Sequence, residues 1–166
     1  MTSEPSLTST PPAQPTGPSI WGTYNNGELG IYLRYPEDWL VQEDASLRQV
    51  VFAAEQDDLQ VAEFLSGTGF AVVVNPSSEV GTETPDVVLD NLSRRLSSTY
   101  QHLQHGEVLS LSIDGAEGAL MHVEGEFSRS GVPLRSWIAA VVAHEHVYVF
   151  AAAAPLENWP EYQPVF

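Results

Sequence analysis

The chain has 166 residues, no cysteine, and 22 acidic against 6 basic side chains, a formal charge of −16. That length suits one domain of ordinary size, and the missing cysteine excludes disulfides, thiolate catalysis and zinc–thiolate sites. A field of this sign repels nucleic-acid phosphates and anionic membranes, and it suits cationic partners or divalent ions. All six basic residues are arginine, at 34, 48, 94, 95, 129 and 135, and lysine is absent. No apolar run reaches transmembrane length, which argues against membrane insertion by this domain.

In residues 1–19, "MTSEPSLTSTPPAQPTGPS", 13 positions are Ser, Thr or Pro. Such a composition buries too little apolar surface to offset its ordering entropy and predicts a flexible tether. Its place after Met1 resembles the region that follows a removed export signal or a lipid-anchor cysteine, which predicts an extracytoplasmic protein. Residues 20–166 are then the folded domain, large enough to bury roughly two-thirds of its unfolded surface without staples.

"IWGTYNN" at 20–26 is a short apolar and aromatic opening, and "NNG" at 25–27 signals a turn. Ile31, Leu33 and Tyr35 alternate with Tyr32 and Arg34, the period of a half-buried strand that Pro36 ends. The "YPEDW" that follows predicts a corner: Glu37 and Asp38 in a solvated turn, Trp39 returning to seal the sheet edge. "RQVVFAAE" at 48–55 and "FAVVVNP" at 70–76 read as strands, whereas 59–66 fits either a strand or a helical turn. A helix starts at Thr84, with Pro85 at its first position and Asp86 favourable to its dipole. Leu89, Leu92, Leu96, Tyr100 and Leu103 extend one apolar stripe towards a stop at Gly106, with Asp90 and Arg94 as an i,i+4 pair outside.

From 107 to 154 the pattern is strand-like. "EVLSLSIDG" sets Leu109, Leu111 and Ile113 against serines, and Asp114-Gly115 is a hairpin signal. "AEGALMHVEGEF" runs back, "VPLRSWIAAVVA" follows a turn at 128–131, and "VYVFAAAAP" follows His144-Glu145-His146. Leu156, Trp159, Tyr162 and Phe166 share a helical face, and because the chain stops inside that pattern the natural protein is expected to continue beyond Phe166. Consecutive hairpin-linked strands predict an α+β domain: a central antiparallel sheet of about six strands, flanked by helices.

Tyr35, Pro36 and Trp39 after an aromatic strand, with Tyr148 to Pro155 leading into Trp159, resemble the photosystem-II PsbP / Mog1 / DUF1795 superfamily over about residues 21–166. The resemblance implies an α-β-α sandwich. It also implies an accessory, binding-type role without a common catalytic centre, in a bacterial lipoprotein-type member. The absence of lysine departs from any lysine-dependent docking in that family.

His144 and His146 are the candidate metal ligands, because residues i and i+2 of a strand share a face. The pair falls where the hairpin turns, and it lacks a third ligand. His102 and His105 read as helix C-terminal residues that interact with its dipole, and His122 as a packed or solvent-facing strand residue. Close acidic pairs (Glu37-Asp38, Glu43-Asp44, Asp57-Asp58, Glu124 with Glu126) offer the carboxylates of a hydrolase, and "EQDD" lacks the ligand spacing of an EF-hand. No Gly-x-Ser-x-Gly elbow, P-loop or His-Glu-x-x-His occurs. Tyr24, Tyr32, Tyr35, Trp39 and Trp137 could line a ligand groove, although such rings are more often core. The reading is a non-enzymatic extracytoplasmic module without catalytic residue or cofactor, whose partner is another protein or a cationic ligand. The alternatives are a hydrolase built from dispersed carboxylates and histidines, or a module that binds divalent metal.

Overall fold

Period-two alternation dominates this chain, and it builds two antiparallel sheets. The structure, a computed structural model, describes residues 20–60, 67–80 and 84–166. The predicted tether lies outside the described residues, as does 61–66 of the stretch left open between strand and helical turn. β1 (Trp21–Asn26) and β2 (Ile31–Pro36) form a two-stranded ribbon, turned where Asn26 Oδ1 accepts the N–H groups of Glu28 and Leu29.

The second sheet has eight strands. They are β3 (Leu40–Asp44), β4 (Gln49–Ala53), β5 (Gly69–Pro76), β6 (Tyr100–His105), β7 (Leu109–Ile113), β8 (Ala116–Phe127), β9 (Pro133–Ala143) and β10 (His146–Pro155). Across the sheet the order is β3, β4, β5, β10, β9, β8. β7 and β6 share the far side of β8, the first along its N-terminal half and the second along its C-terminal half. The helices are α1 (Ser77–Val80), α2 (Pro85–Leu96) and α3 (Trp159–Tyr162), with one 3-10 turn at Gln56–Gln60.

α2 covers one face. Val88, Leu89, Leu92 and Leu96 are buried on Met121 and Val123 of β8, Ile138 and Ala140 of β9, and Val147 of β10. Further along the same face the 3-10 turn seats Leu59 on Val51, Ala53 and Ala153. The opposite face carries most of the aromatic residues. Tyr24, Ile31 and Tyr35 from the ribbon meet Phe52 and Phe70 from β4 and β5, and Trp39, Tyr162 and Phe166 close over them.

Three expectations change. First, the sheet has eight strands, and among the described residues the long helix α2 packs on one face while the other receives the single helical turn α3. The ribbon and the C-terminal segment, with α3 in it, cover that other face, so the expected second helical layer is reduced to one turn beside a ribbon. Broad rings do there what a helix would do: Tyr35 and Tyr24 lie 5.0 and 5.3 Å from the Phe52 ring. Second, the helix from Thr84 ends at Leu96 instead of running to Gly106. Ser97 and Ser98 turn their hydroxyls onto the carbonyls of Ser93 and Arg95, the competition with helix that serines provide. Tyr100 then enters the same core from β6, which is why its spacing imitates a longer stripe. His102 and His105 therefore lie on a strand, and Gly106 donates to the His122 carbonyl within the sheet. Third, the closing helical face shrinks to the single turn Trp159–Tyr162.

Thr84 does sit at the helix N-cap, but its hydroxyl makes no bond to the helix N–H groups. It bonds Asp86 instead, which lowers that carboxyl below its usual value. Asp90 and Arg94 pair at 2.6 Å as expected, exposed enough to contribute little. β3 escaped the sequence reading, because its residues are almost all exposed and carry no alternation of burial.

"YPEDW" is a corner. Pro36 closes β2, Glu37 and Asp38 are exposed, and Trp39 N–H donates to the Pro36 carbonyl. Trp39 is 7% exposed and packs beneath the face of the sheet, not along its edge, with Phe70, Tyr162 and Phe166 at 6.0–6.2 Å. Trp39→Ala should therefore cost about 3–5 kcal/mol in urea unfolding. Glu37→Ala and Asp38→Ala should each stay within about 0.5 kcal/mol.

Candidate functional site

The aromatic cover runs out before the face does. Beyond β10 the same face presents Ala139 and Trp137 from β9, Leu120 from β8, and Leu111 and Ile113 from β7. Leu33 and Arg34 of β2 and Val165 and Phe166 of the C-terminal segment border this strip. Between them lies an apolar groove of about 370 Å³, inside the ~300–1,000 Å³ range of small-molecule sites.

Small residues make the floor deep. Ala139 and Ala152 leave room where larger side chains would fill it, and Gly118 sits opposite Leu111 in the β7–β8 ladder. A Cβ at Gly118 would come within 2.8 Å of Leu111 Cδ1. One charged side chain borders the groove. Arg34 is exposed at its margin, its guanidinium 5.5 Å from the centre of the Trp21 ring, a cation–π contact. The indole N–H of Trp137 is buried with no hydrogen-bond partner among the described residues, an arrangement that costs about 1–3 kcal/mol. Trp137 is held between the His122 ring at 5.2 Å and Trp159 at 5.9 Å.

The predicted site residues do not converge on this groove. His144 and Glu145 form the two-residue β9–β10 turn, both at positive φ, and His146 Nδ1 lies 2.9 Å from the His144 carbonyl. Among the described residues no three His, Asp or Glu side chains gather as metal ligands. His102 sits at the bulge of β6, 3.5 Å from Glu126. His105 is exposed on the same strand.

The carboxylates serve local structure. Glu124 pairs with Arg135 at 2.6 Å, and Glu43 accepts the Tyr24 hydroxyl at 2.9 Å. Asp44 caps its own turn through Ser46 and Leu47, and the Ser46 hydroxyl lowers its pKa. Asp58 accepts the Thr68 N–H, and burial raises its pKa. Of the five aromatic candidates, Tyr24 and Trp39 are core, Tyr35 packs against that core, Tyr32 is 72% exposed, and Trp137 lines the groove. The groove residues Leu33, Leu111, Leu120 and Ala152 were missed. They follow the same alternation as buried core, so nothing local marks them. What the arrangement can do is hold apolar groups beside one cation.

No protein-family model and no curated protein matches the chain. Solved structures do. The cyanobacterial PsbP (CyanoP) of Synechocystis sp. PCC 6803 superposes with a TM-score of 0.63 at 14% identity, covering 95% of this chain and 92% of that one. The Ran-binding protein Mog1p of Saccharomyces cerevisiae does so at 0.53 and 10% identity, covering 87% and 82%. LpqN of Mycobacterium tuberculosis, involved in cell envelope biogenesis, gives 0.50 at 14% identity, covering 79% and 74%.

Ala139 and Ala140 are neighbours on opposite faces, one over the groove and one fully buried under α2. Ala139→Leu should lower stability by less than about 1 kcal/mol, because the groove takes the added carbons, whereas Ala140→Leu should cost about 1–3 kcal/mol from overpacking. Denaturant midpoints of the two variants check this.

Proposed function

We propose that this chain, whose fold is that of PsbP and Mog1, is a non-enzymatic binding or accessory module that recognises another protein through its apolar groove. The observation that carries this reading is the uncovered half of an otherwise covered sheet face. The alternating positions that bury core on one side of β10 hold open an apolar strip on the other. A concave, mostly apolar groove with a charged side chain at its margin is a common form of binding site. The solved neighbours support the same reading, since one is a Ran-binding protein and another acts in envelope biogenesis.

The module works outside the cytoplasm, with the Ser/Thr/Pro-rich residues 1–19 as its tether. No helix among the described residues is long and apolar enough to cross a membrane. The acidic, lysine-free surface favours a partner with a basic face.

The test has two arms. Nile red, a neutral apolar fluorophore, should brighten on the wild-type chain and lose at least half of that gain with Ala139→Phe, at unchanged secondary structure. A broad hydrolase screen should give no turnover. Dye binding that ignores Ala139→Phe would remove the groove from the reading. Reproducible turnover abolished by one Glu or His alanine variant would replace the module with an enzyme.

A further inference from the structure

An open sheet edge is a template for another strand, and proteins usually blunt it with charge, proline or a bulge. β3, at one end of this sheet, carries Glu43 and Asp44. β6, at the other end, is broken by a bulge between Gln101 and Gln104, where His102 has φ +54°. β7 has none of these devices. Its sequence is Leu-Ser-Leu-Ser-Ile, uncharged and without proline, and its register with β8 is unbroken from Leu109 to Ile113.

The direction of its hydrogen bonds follows from its turn. Asp114 and Gly115 have φ +50° and +81° and join Ile113 directly to Ala116, a two-residue hairpin loop of the primed type. Such a loop closes on a hydrogen-bonded pair, and bonded and non-bonded pairs then alternate. Leu109, Leu111 and Ile113 therefore bond to β8, while the N–H and C=O groups of Ser110 and Ser112 point away from the sheet. No backbone group among the described residues meets them. Leu109 and Ile113 are 48% and 43% exposed, and Leu111 and Ile113 line the groove. A strand added here would lengthen the groove floor and set alternate side chains beside them.

Charge selects the occupant. Glu107 lies just before β7, and Asp114 and Glu117 just after it, all exposed. A second copy fits poorly. Antiparallel pairing of Ser110 with Ser112 of a copy sets Glu107 opposite Gly115, beside Asp114, and adds two chains of −16. We infer that the free edge of β7 receives an extended segment of a partner polypeptide, with apolar side chains at alternate positions and lysine or arginine at both ends. This deepens the binding reading above and rests on it for the side of the sheet that is used.

The test uses the full chain and a synthetic peptide of alternating valine and threonine with lysines at each end, blocked at both termini. It should bind saturably, weaken as salt rises, and slow hydrogen exchange at the Ser110 and Ser112 amides. Ser112→Pro removes an outward donor and leaves the β8 ladder intact, so it should weaken binding about tenfold. If that variant fails to fold, the triple change Glu107→Gln, Asp114→Asn and Glu117→Gln should weaken it by about the same factor. A glutamate-flanked peptide should not bind. Binding that leaves the Ser110 and Ser112 amides unprotected, or that tolerates both variants, overturns the inference. So does equal binding of the glutamate-flanked peptide. Concentration-dependent protection of those amides without peptide makes a second copy the occupant and overturns it too. No peptide binding while Nile red still fills the groove sinks this inference alone, whereas loss of both sinks the groove reading as well.

Discussion

Phe166 rests between Trp39 and Trp159, its ring 6.2 Å from one and 5.6 Å from the other, and the cover on the aromatic face depends on that contact. From Trp39 the rings continue through Phe70 to Phe52, stacked at 4.3 Å, and on to Tyr24. From Trp159 they continue to Trp137 and end at His122. Each such pair contributes ~0.5–1.5 kcal/mol beyond the area it buries. The ribbon, the corner after β2 and the last residues of the chain thus form one connected layer. The groove exists because that layer ends at Trp137 and His122 while the sheet extends on to β7, so the apolar strip lies where the core lacks its cover.

Much of the framework was legible in the sequence. The strand pairs around Asn26, Asp114-Gly115 and His144-Glu145 each join alternating segments across a short turn, and such information is local. The start of α2 was legible for the same reason, since Thr84-Pro85 is a local signal. Its end was not. Tyr100 is a core residue four positions beyond Leu96, the last residue of the helix, so the apolar spacing outlives the helix. The order of strands was also hidden, because β5 pairs with β10 across a gap that holds α2 and four strands. The groove inherits this blindness. Leu111, Leu120 and Trp137 read as core from their alternation, and only the relative placement of β2, β7 and the C-terminal segment leaves them uncovered. Trp137 had been singled out as an aromatic, but nothing in its neighbourhood along the chain separates it from Trp39.

The acidic surplus is unevenly employed. Glu43, Asp44, Asp58 and Glu124 hold turns, a strand and the ribbon in place, and each has a named donor. Glu37, Asp38, Glu107, Asp114 and Glu117 are exposed at corners and turns. The first set belongs to stability and the second to the negative field around the molecule. Within that field Arg34 is set apart as the cation beside the apolar strip.

β10 is the last strand in the chain, yet it occupies the middle of the sheet, bonded to β5 on one side and β9 on the other. Until its residues are made, the chain can build only two half-sheets: β3, β4 and β5 on one hand, and β6 to β9 under α2 on the other. Each half ends in a long apolar edge. Closure therefore comes late, through contacts distant in sequence, which slows folding. Emerging from the ribosome at ~5–20 residues per second, the chain spends its synthesis as two open halves awaiting one strand. The same placement that makes β10 the keystone keeps the two halves of the sheet apart until its residues have been made.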